Sequence, residues 1–373
     1  MKLQINQKIL LEHLNYVIKG VSSKNLIPIL NCIKFELTKE GLYLISTDNE
    51  IAIKTFIDKK DIENIDTLGE IVISGKYIYE IVRKLDNTSI NIEELDNNQI
   101  LIKTNISSFK LNCNDVKDYP NLDLEFIKNP IIINQKSFKN AINQTIFATS
   151  NQESRPVLTG INLKIKDNKF QFTATDSYRL ARKVLKIDKS IKENIDIIVP
   201  AKNLMEVIRL LNNEEDNIEI HIFNNKIIFK FNSIIIMSRL ISGNYPETDK
   251  LITDKFELKI KINLNDIYNA IDRASLLTNE DEKNIINFES NKNNVKIHSN
   301  IPEIGNVEEK LVVVKDNDKE IKISFSSKFM MDALKIFDTD EVELKFNGEI
   351  KPIIISDPNN EDLIQLIVPI RTY

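Results

Sequence analysis

Ile5-Asn6-Gln7-Lys8 recurs verbatim, 128 positions later, as Ile133-Asn134-Gln135-Lys136. At the same ungapped offset Pro28 falls on Pro156, Leu30 on Leu158, and Thr47-Asp48 on Thr175-Asp176. Further along the offset slips to 126. Lys76 then falls on Lys202, Glu80 on Glu206, Arg83 on Arg209, and Tyr119-Pro120 on Tyr245-Pro246. A third copy is fainter. Asn140-Ala141-Ile142 returns as Asn269-Ala270-Ile271, and Lys202 returns as Lys328, but the Thr-Asp pair is gone. The 373 residues therefore divide into three units of about 125, an ordinary single-domain size. The expected domains are 1–127, 128–253 and 254–373.

Each unit reads as two similar halves, a helix followed by short strands. Apolar residues at helical spacing predict helices near 8–19, 76–85, 137–147, 202–211, 265–277 and 327–337. Gly20 is a stop signal for the first. Runs rich in β-branched residues predict strands at 33–37, 100–104, 218–223 and 342–346. Turn signals punctuate them at Asn97-Asn98, Asn224-Asn225 and Asn347-Gly348. The class is α+β, with six helices and many antiparallel strands.

Composition excludes several chemistries. The eight glycines are never closer than six residues apart, so GxGxxG, GxxxxGK[ST] and GxSxG are all absent. Cys32 and Cys113 form neither a disulfide framework nor a CxxC pair and read as reduced thiols. His13, His221 and His298 are isolated, which offers no metal-ligand spacing. The acidic runs at 214–216 and 280–282 read as solvated loops. No nucleophile, base and orienting group can be assembled from local sequence. No catalytic residue, metal or cofactor is therefore expected. The N-terminus lacks a signal peptide, and no window is apolar enough to span a membrane, so the expected location is the cytoplasm.

The chain has a net charge of −5, which speaks against a uniformly basic nucleic-acid binder. The six helical windows differ from the rest. They hold eleven basic residues (Lys8, Lys19, Lys76, Arg83, Lys84, Lys139, Lys202, Arg209, Arg273, Lys328, Lys335) against six acidic ones. That surplus of five leaves −10 elsewhere. In helix one, Lys8, Glu12, Asn15 and Lys19 share the solvent face; in helix six, Lys328, Asp332 and Lys335 do. Taken alone these are ordinary solvated faces. Their recurrence in most half-units suggests a surface that meets phosphates without reading sequence.

Three motifs carry a family resemblance. Ala174-Thr175-Asp176-Ser177-Tyr178-Arg179-Leu180-Ala181, Ser242-Gly243-Asn244-Tyr245-Pro246-Glu247-Thr248 and Leu366-Ile367-Val368-Pro369-Ile370-Arg371-Thr372-Tyr373 resemble signatures of the bacterial DNA polymerase III β sliding clamp family. Ile301-Pro302-Glu303-Ile304-Gly305 and Lys24-Asn25-Leu26-Ile27-Pro28-Ile29-Leu30 fit as well, and the match runs in order along the chain. The resemblance implies three tandem clamp domains in a head-to-tail dimeric ring, with helices lining the hole and sheets outside. It implies as partners a second copy of the chain, double-stranded DNA, the replicative DNA polymerase and the clamp loader. Mismatch-repair, ligase and translesion polymerase proteins would dock through short clamp-binding peptides.

The resemblance also implies sites. The peptide pocket would have apolar walls from Leu158, Thr175, Leu180, Pro246, Leu251, Ile350, Val368 and Ile370. Its rim and floor would come from Arg155, Ser177, Tyr178, Arg179, Lys250, Pro352, Pro369 and Arg371. Lys24, Asn151, Gln152 and Lys202 would contact DNA. Phe109 and Leu111, on an edge strand, would meet Leu276 and Leu277 of the other subunit. Taken singly, Leu158 and Val368 read equally as core, and Arg179 as half of a structural ion pair. The chain departs from the family pattern at Tyr178 (commonly His), Lys250 (commonly Arg), Glu282 and Pro156-Val157 (positions of aromatics in other members). The alternative to the clamp is a tandem-repeat protein-interaction scaffold that does not encircle DNA.

Overall fold

Six times along the chain a short strand runs straight into a helix, and at two of the junctions a capping asparagine marks the change. In the computed structural model Lys2–Asn6 leads into α1 (Gln7–Val17), and Asn6 Oδ1 accepts the Lys8 N–H at 2.9 Å. Leu258–Asn263 leads into α5 (Leu264–Ser275), where Asn263 caps the Asp266 N–H at 3.0 Å. A side-chain acceptor there satisfies an otherwise orphaned helix donor. The other four junctions are Ser74 before α2 (Gly75–Lys84), Asn134 before α3 (Gln135–Ile146), Pro200 before α4 (Ala201–Leu210) and Ser326 before α6 (Ser327–Leu334). The structure describes all residues except 23–25, 97, 128, 188–193, 212–214, 254, 280–283 and 372–373.

Each helix sits within about two residues of its expected start and buries the expected face. Leu10, Leu14 and Val17 of α1 are fully buried, as are Ile267, Ala270, Ile271 and Ala274 of α5. Two ends differ. After Val17 the chain tightens to a 3₁₀ turn (Ile18–Gly20), and a Cβ on Gly20 would meet Ser46 Oγ at 2.4 Å. Ser46 Oγ donates to Val17 O at 2.5 Å, so glycine is needed for this close approach. Helix α6 stops at Leu334, three residues early, because Phe337 reaches the core from a turn instead.

The strand ahead of each helix was not expected, and it makes the half-unit strand, helix, strand, strand, strand. The described strands form antiparallel sheets of thirteen, nine and four. Inward positions alternate with outward ones, as in Cys32–Leu37 and Leu258–Asn263. The sheets do not stop at repeat boundaries. Ile234–Arg239 of the second repeat pairs with Ile51–Asp58 of the first, and Asn360–Ile367 of the third pairs with Arg179–Lys186 of the second. Contacts accordingly divide the chain into two units, 1–136 with 202–240, and 137–201 with 241–373. The first holds the thirteen-stranded sheet with α1, α2 and nearly all of α4. The second holds the other two sheets with α5, α6 and most of α3.

Candidate functional site

In the second unit, strands Lys169–Thr175 and Arg179–Lys186 are joined by Asp176, Ser177 and Tyr178. Thr175 Oγ1 accepts the Ser177 N–H at 3.1 Å and donates to Arg179 O at 2.6 Å. Asp176 Oδ1 accepts the N–H groups of Tyr178 and Arg179, both at 3.0 Å. Ser177 takes φ 78°, a strained left-handed position for serine, sustained by these bonds. The corner is therefore rigid, and it aims two side chains.

Arg179 is one. Its Nε donates to Asp176 Oδ2 at 3.0 Å and its Nη1 to Asp332 Oδ2 at 2.7 Å. Its guanidinium lies 4.5 Å from the Phe329 ring centre and 5.3 Å from that of Phe147. The side chain is only 11% exposed. Such a group, doubly paired and stacked on aromatic faces, is fixed in place. Tyr178 is the other. It is 56% exposed and stacks on the opposite partner, Phe329, at 6.4 Å and 25°. Arg155 Nη1 donates to Ser177 Oγ at 3.3 Å.

Neighbouring elements extend this surface. Ile367 pairs with Arg179, and the Val368 N–H then reaches Tyr178 O at 2.9 Å. The Ile370 N–H bonds Ser324 O at 2.7 Å, which pins the C-terminal tail. Pro352 precedes the strand Ile353–Asp357, whose Ile353 also pairs with Ile367. The turn around Ile350 is tied back by Asn347, which bonds the Glu257 N–H and Thr253 Oγ1 at 3.1 Å each. A 3₁₀ turn (Asp249–Leu251) follows Pro246. Lys250 there pairs with Glu247 and not with the sheet. The exposed apolar groups are Tyr178, Pro246, Leu251, Ile350 and Val368. Pro369 and Ile370 are half-buried, and Arg371 is exposed. Leu158, Thr175 and Leu180 are buried at 4%, 7% and 1% exposure. They lie beneath the exposed groups.

Three residues of this site were not foreseen. Phe147 and Phe329 both lie against the Arg179 guanidinium, and Asp332 pairs with it. Asp332 belongs to this ion pair and not to an open helix face with Lys328 and Lys335, as its spacing suggested. Only Arg179's need for a partner hinted at it. Tyr245 is half-buried with its hydroxyl buried beneath the same corner, and desolvation pushes its phenol well above the usual range. Its Oη has no hydrogen-bond partner among the described residues; the Thr175 backbone lies near but outside bonding geometry.

The remaining expected residues fall elsewhere. Lys24 and Glu282 lie outside the described residues. Asn151 and Gln152 are exposed in the turn after α3, and Lys202 is exposed at the start of α4. The helix cations separate by type. Arg83, Arg209 and Arg273 pair with Glu80, Glu206 and Glu309. Lys8, Lys19, Lys76, Lys84, Lys202 and Lys328 are exposed and have no carboxylate partner among the described residues. Phe109 and Leu111 are half-buried on the strand Ser108–Asn114, whose second side is paired only at its C-terminal end. Leu276 is 79% exposed just after α5, and Leu277 is half-buried. In the four-stranded sheet, Gly305–Val312 is an end strand with alternating burial. Both thiols are free, and burial raises both thiol pKa values, Cys113 to about 11. No group of three metal-ligating side chains occurs among the described residues, and no helix among them is long and apolar enough to cross a membrane.

Comparison with known proteins agrees with this architecture. Family models match in order: DNA polymerase III beta subunit N-terminal domain over residues 1–123, central domain over 132–247 and C-terminal domain over 249–371. The beta sliding clamp of Bacillus subtilis is 37% identical over 378 residues, covering all of both chains. That of Staphylococcus aureus is 38% identical over 380 residues, again covering both fully. The crystal structure of the Bacillus subtilis DNA polymerase sliding clamp superposes with a TM-score of 0.96 at 36% identity, over the full length of both. That of the Streptococcus pneumoniae beta chain gives 0.93 at 32%, also over full length. The Pseudomonas aeruginosa subunit, at 23% identity and TM-score 0.94, shares the fold. The three-repeat chain with its single Arg179 corner belongs to the DNA polymerase III beta subunit family.

Proposed function

We propose that this protein is a DNA sliding clamp: two copies close head to tail around duplex DNA and tether the replicative polymerase, which makes synthesis processive. It acts as an accessory subunit and not as an enzyme, in the cytoplasm, with the clamp loader opening the ring at the expense of ATP. The repeat domains are 1–127, 128–253 and 254–373. The observation that carries the reading is the pairing of a full-length family match with uncommitted lysines on helices of an otherwise acidic chain. Lysines without partners offer many weak phosphate contacts, which hold DNA loosely enough to slide. Lys24, Asn151, Gln152 and Lys202 are assigned to DNA. Phe109 and Leu111 are assigned to a subunit contact with Leu276 and Leu277, because an unpaired apolar strand edge needs a cover.

The corner around Arg179 is the docking site for short, partly apolar peptides of the polymerase, the loader and repair proteins. Exposed apolar groups beside a few oriented polar ones suit that ligand. The test is to load the protein on nicked circular DNA with its loader and ATP, then linearise the circle. Release on linearisation is expected. Retention on linear DNA with free ends would overturn the ring, as would a strict monomer in sedimentation.

A further inference from the structure

Residues 245–253 form a strap that brings Pro246, Lys250 and Leu251 to the docking surface. Its two ends are anchored by burial. Thr248 and the Tyr245 hydroxyl are buried at one end, and Ile252 and Phe256 pack against Leu180, Ile354, Ile364 and Leu366 at the other. The turn between them, Asp249–Leu251, has no buried residue. Leu251 is 48% exposed, and the Lys250–Glu247 pair stays within the strap. Among the described residues, the polar ties from this turn to the sheet are those of Asp249. Its Oδ2 lies 3.4 Å from Lys164 Nζ and its Oδ1 lies 3.8 Å from Arg182 Nη1.

Lys164 and Arg182 stand on strands Gly160–Lys166 and Arg179–Lys186, which flank Lys169–Thr175. Asp249 thus straddles three strands. Beside it lies an open cleft of about 390 Å³, lined by Lys164, Gln171, Asp196 and Asp249 among others. The turn borders space and not packed side chains, so packing does not fix its height above the sheet; charge does. Arg182 also feels Glu361, so Asp249 shares that cation.

We propose that Asp249 is a positioning residue for the docking surface: gripped by Lys164 and Arg182, it sets where Lys250 and Leu251 stand against a bound peptide. The proposal rests on the Arg179 corner being the peptide site. Exposed ion pairs are weak and screened by salt, so the wall is a soft, adjustable one.

The test measures binding of the full-length dimer to the immobilised cognate replicative polymerase at low and high salt. Asp249→Asn is expected to weaken binding by about threefold at low salt, chiefly through faster dissociation, and to flatten its salt dependence, as expected for loss of exposed ion pairs. Asp249→Lys is expected to weaken it by about tenfold, because it turns the contacts with both Lys164 and Arg182 into repulsions. Asp249 variants that bind like wild type, beside an Arg179→Ala variant that does not bind, would overturn the role of Asp249 alone. Unchanged binding by Arg179→Ala would overturn the docking site itself, and this inference with it.

Discussion

The first and second repeats build the same corner and finish it differently. In the first, Thr47 Oγ1 accepts the Asn49 N–H at 3.1 Å and donates to Ile51 O at 2.8 Å. Asp48 Oδ1 accepts the N–H groups of Glu50 and Ile51 at 2.9 Å each, and Asn49 takes φ 77°. Every one of these features has its counterpart at Thr175, Asp176 and Ser177. Each corner even lends a carbonyl to the next repeat's chain: Glu50 O to the Arg239 N–H and Tyr178 O to the Val368 N–H, both at 2.9 Å. The fifth residue decides the outcome. Ile51 is 3% exposed, and buried Asn203 of α4 donates to Glu50 O at 3.3 Å. That corner is sealed. Arg179 takes the place of Ile51, recruits Asp332 and two phenylalanines, and leaves Tyr178 in the open. The turn is scaffold, and one position along it separates a closed joint from the surface proposed for docking.

Exchanging that position should break the comparison most visibly. Ile51→Arg places a charge without a partner in the core and is expected to cost at least about 4 kcal/mol, read as a collapse of the denaturant midpoint. Arg179→Ala is expected to cost about 2–3 kcal/mol, less than for a fully buried pair because water can reach Asp332, and to abolish polymerase binding. Arg179→Ile should recover much of that stability and none of the binding. Unequal losses would sharpen the contrast elsewhere. Thr47→Val and Thr175→Val each remove two hydrogen bonds and should each cost about 1–2 kcal/mol, equally, if the corners are the same scaffold.

The straps beneath the corners extend the contrast. Tyr119 Oη donates to Ile45 O at 3.2 Å, whereas the Oη of its counterpart Tyr245 has no hydrogen-bond partner among the described residues. Tyr119→Phe should lower stability by about 1 kcal/mol and Tyr245→Phe by nothing measurable. The smallest effect concerns pH. His221 Nδ1 accepts the Ile127 N–H at 3.2 Å, and Phe126 packs on the ring at 4.9 Å. Burial lowers the pKa of His221 below 6.5; nearby Glu219 opposes the shift and Lys230 adds to it. The native state therefore resists a proton that the unfolded chain accepts. The stabilisation is present above about pH 6.5 and is lost as pH falls below it. The protection of the Ile127 amide, taken relative to its intrinsic exchange rate at each pH, should fall between about pH 7.5 and about pH 5.5, while the Asp249 strap responds to salt in its place.

The repeat made much of the fold legible, because identical residues at one offset must occupy equivalent places. The helices followed from their 3.6-residue spacing. The strands ahead of them were hidden: stretches such as Ile131–Asn134 are too short to display a period, and their alternation merges into the next helix. At the site, the motifs located Thr175, Arg179 and Val368 through the family pattern. Phe147, Phe329 and Asp332 were not legible, because nothing local to them records that an arginine 153 positions before Asp332 will arrive. Leu158 and Leu180 were ambiguous for the opposite reason, since an apolar residue looks the same on a wall and beneath it.

The strand pairing across repeat boundaries also sets an order of events on the ribosome. The joint between the first two repeats can close once residue 239 has emerged, because Ile234–Arg239 completes it. The joint between the second and third must wait for Asn360–Ile367, roughly 130 residues later. At about 5–20 residues per second, the strand Arg179–Lys186, made about 180 residues before Ile367, waits about 9–36 s with one edge unpaired. During that interval the nascent chain exposes an open strand edge beside the apolar residues Leu180 and Ala181, and a chaperone would find its binding site there.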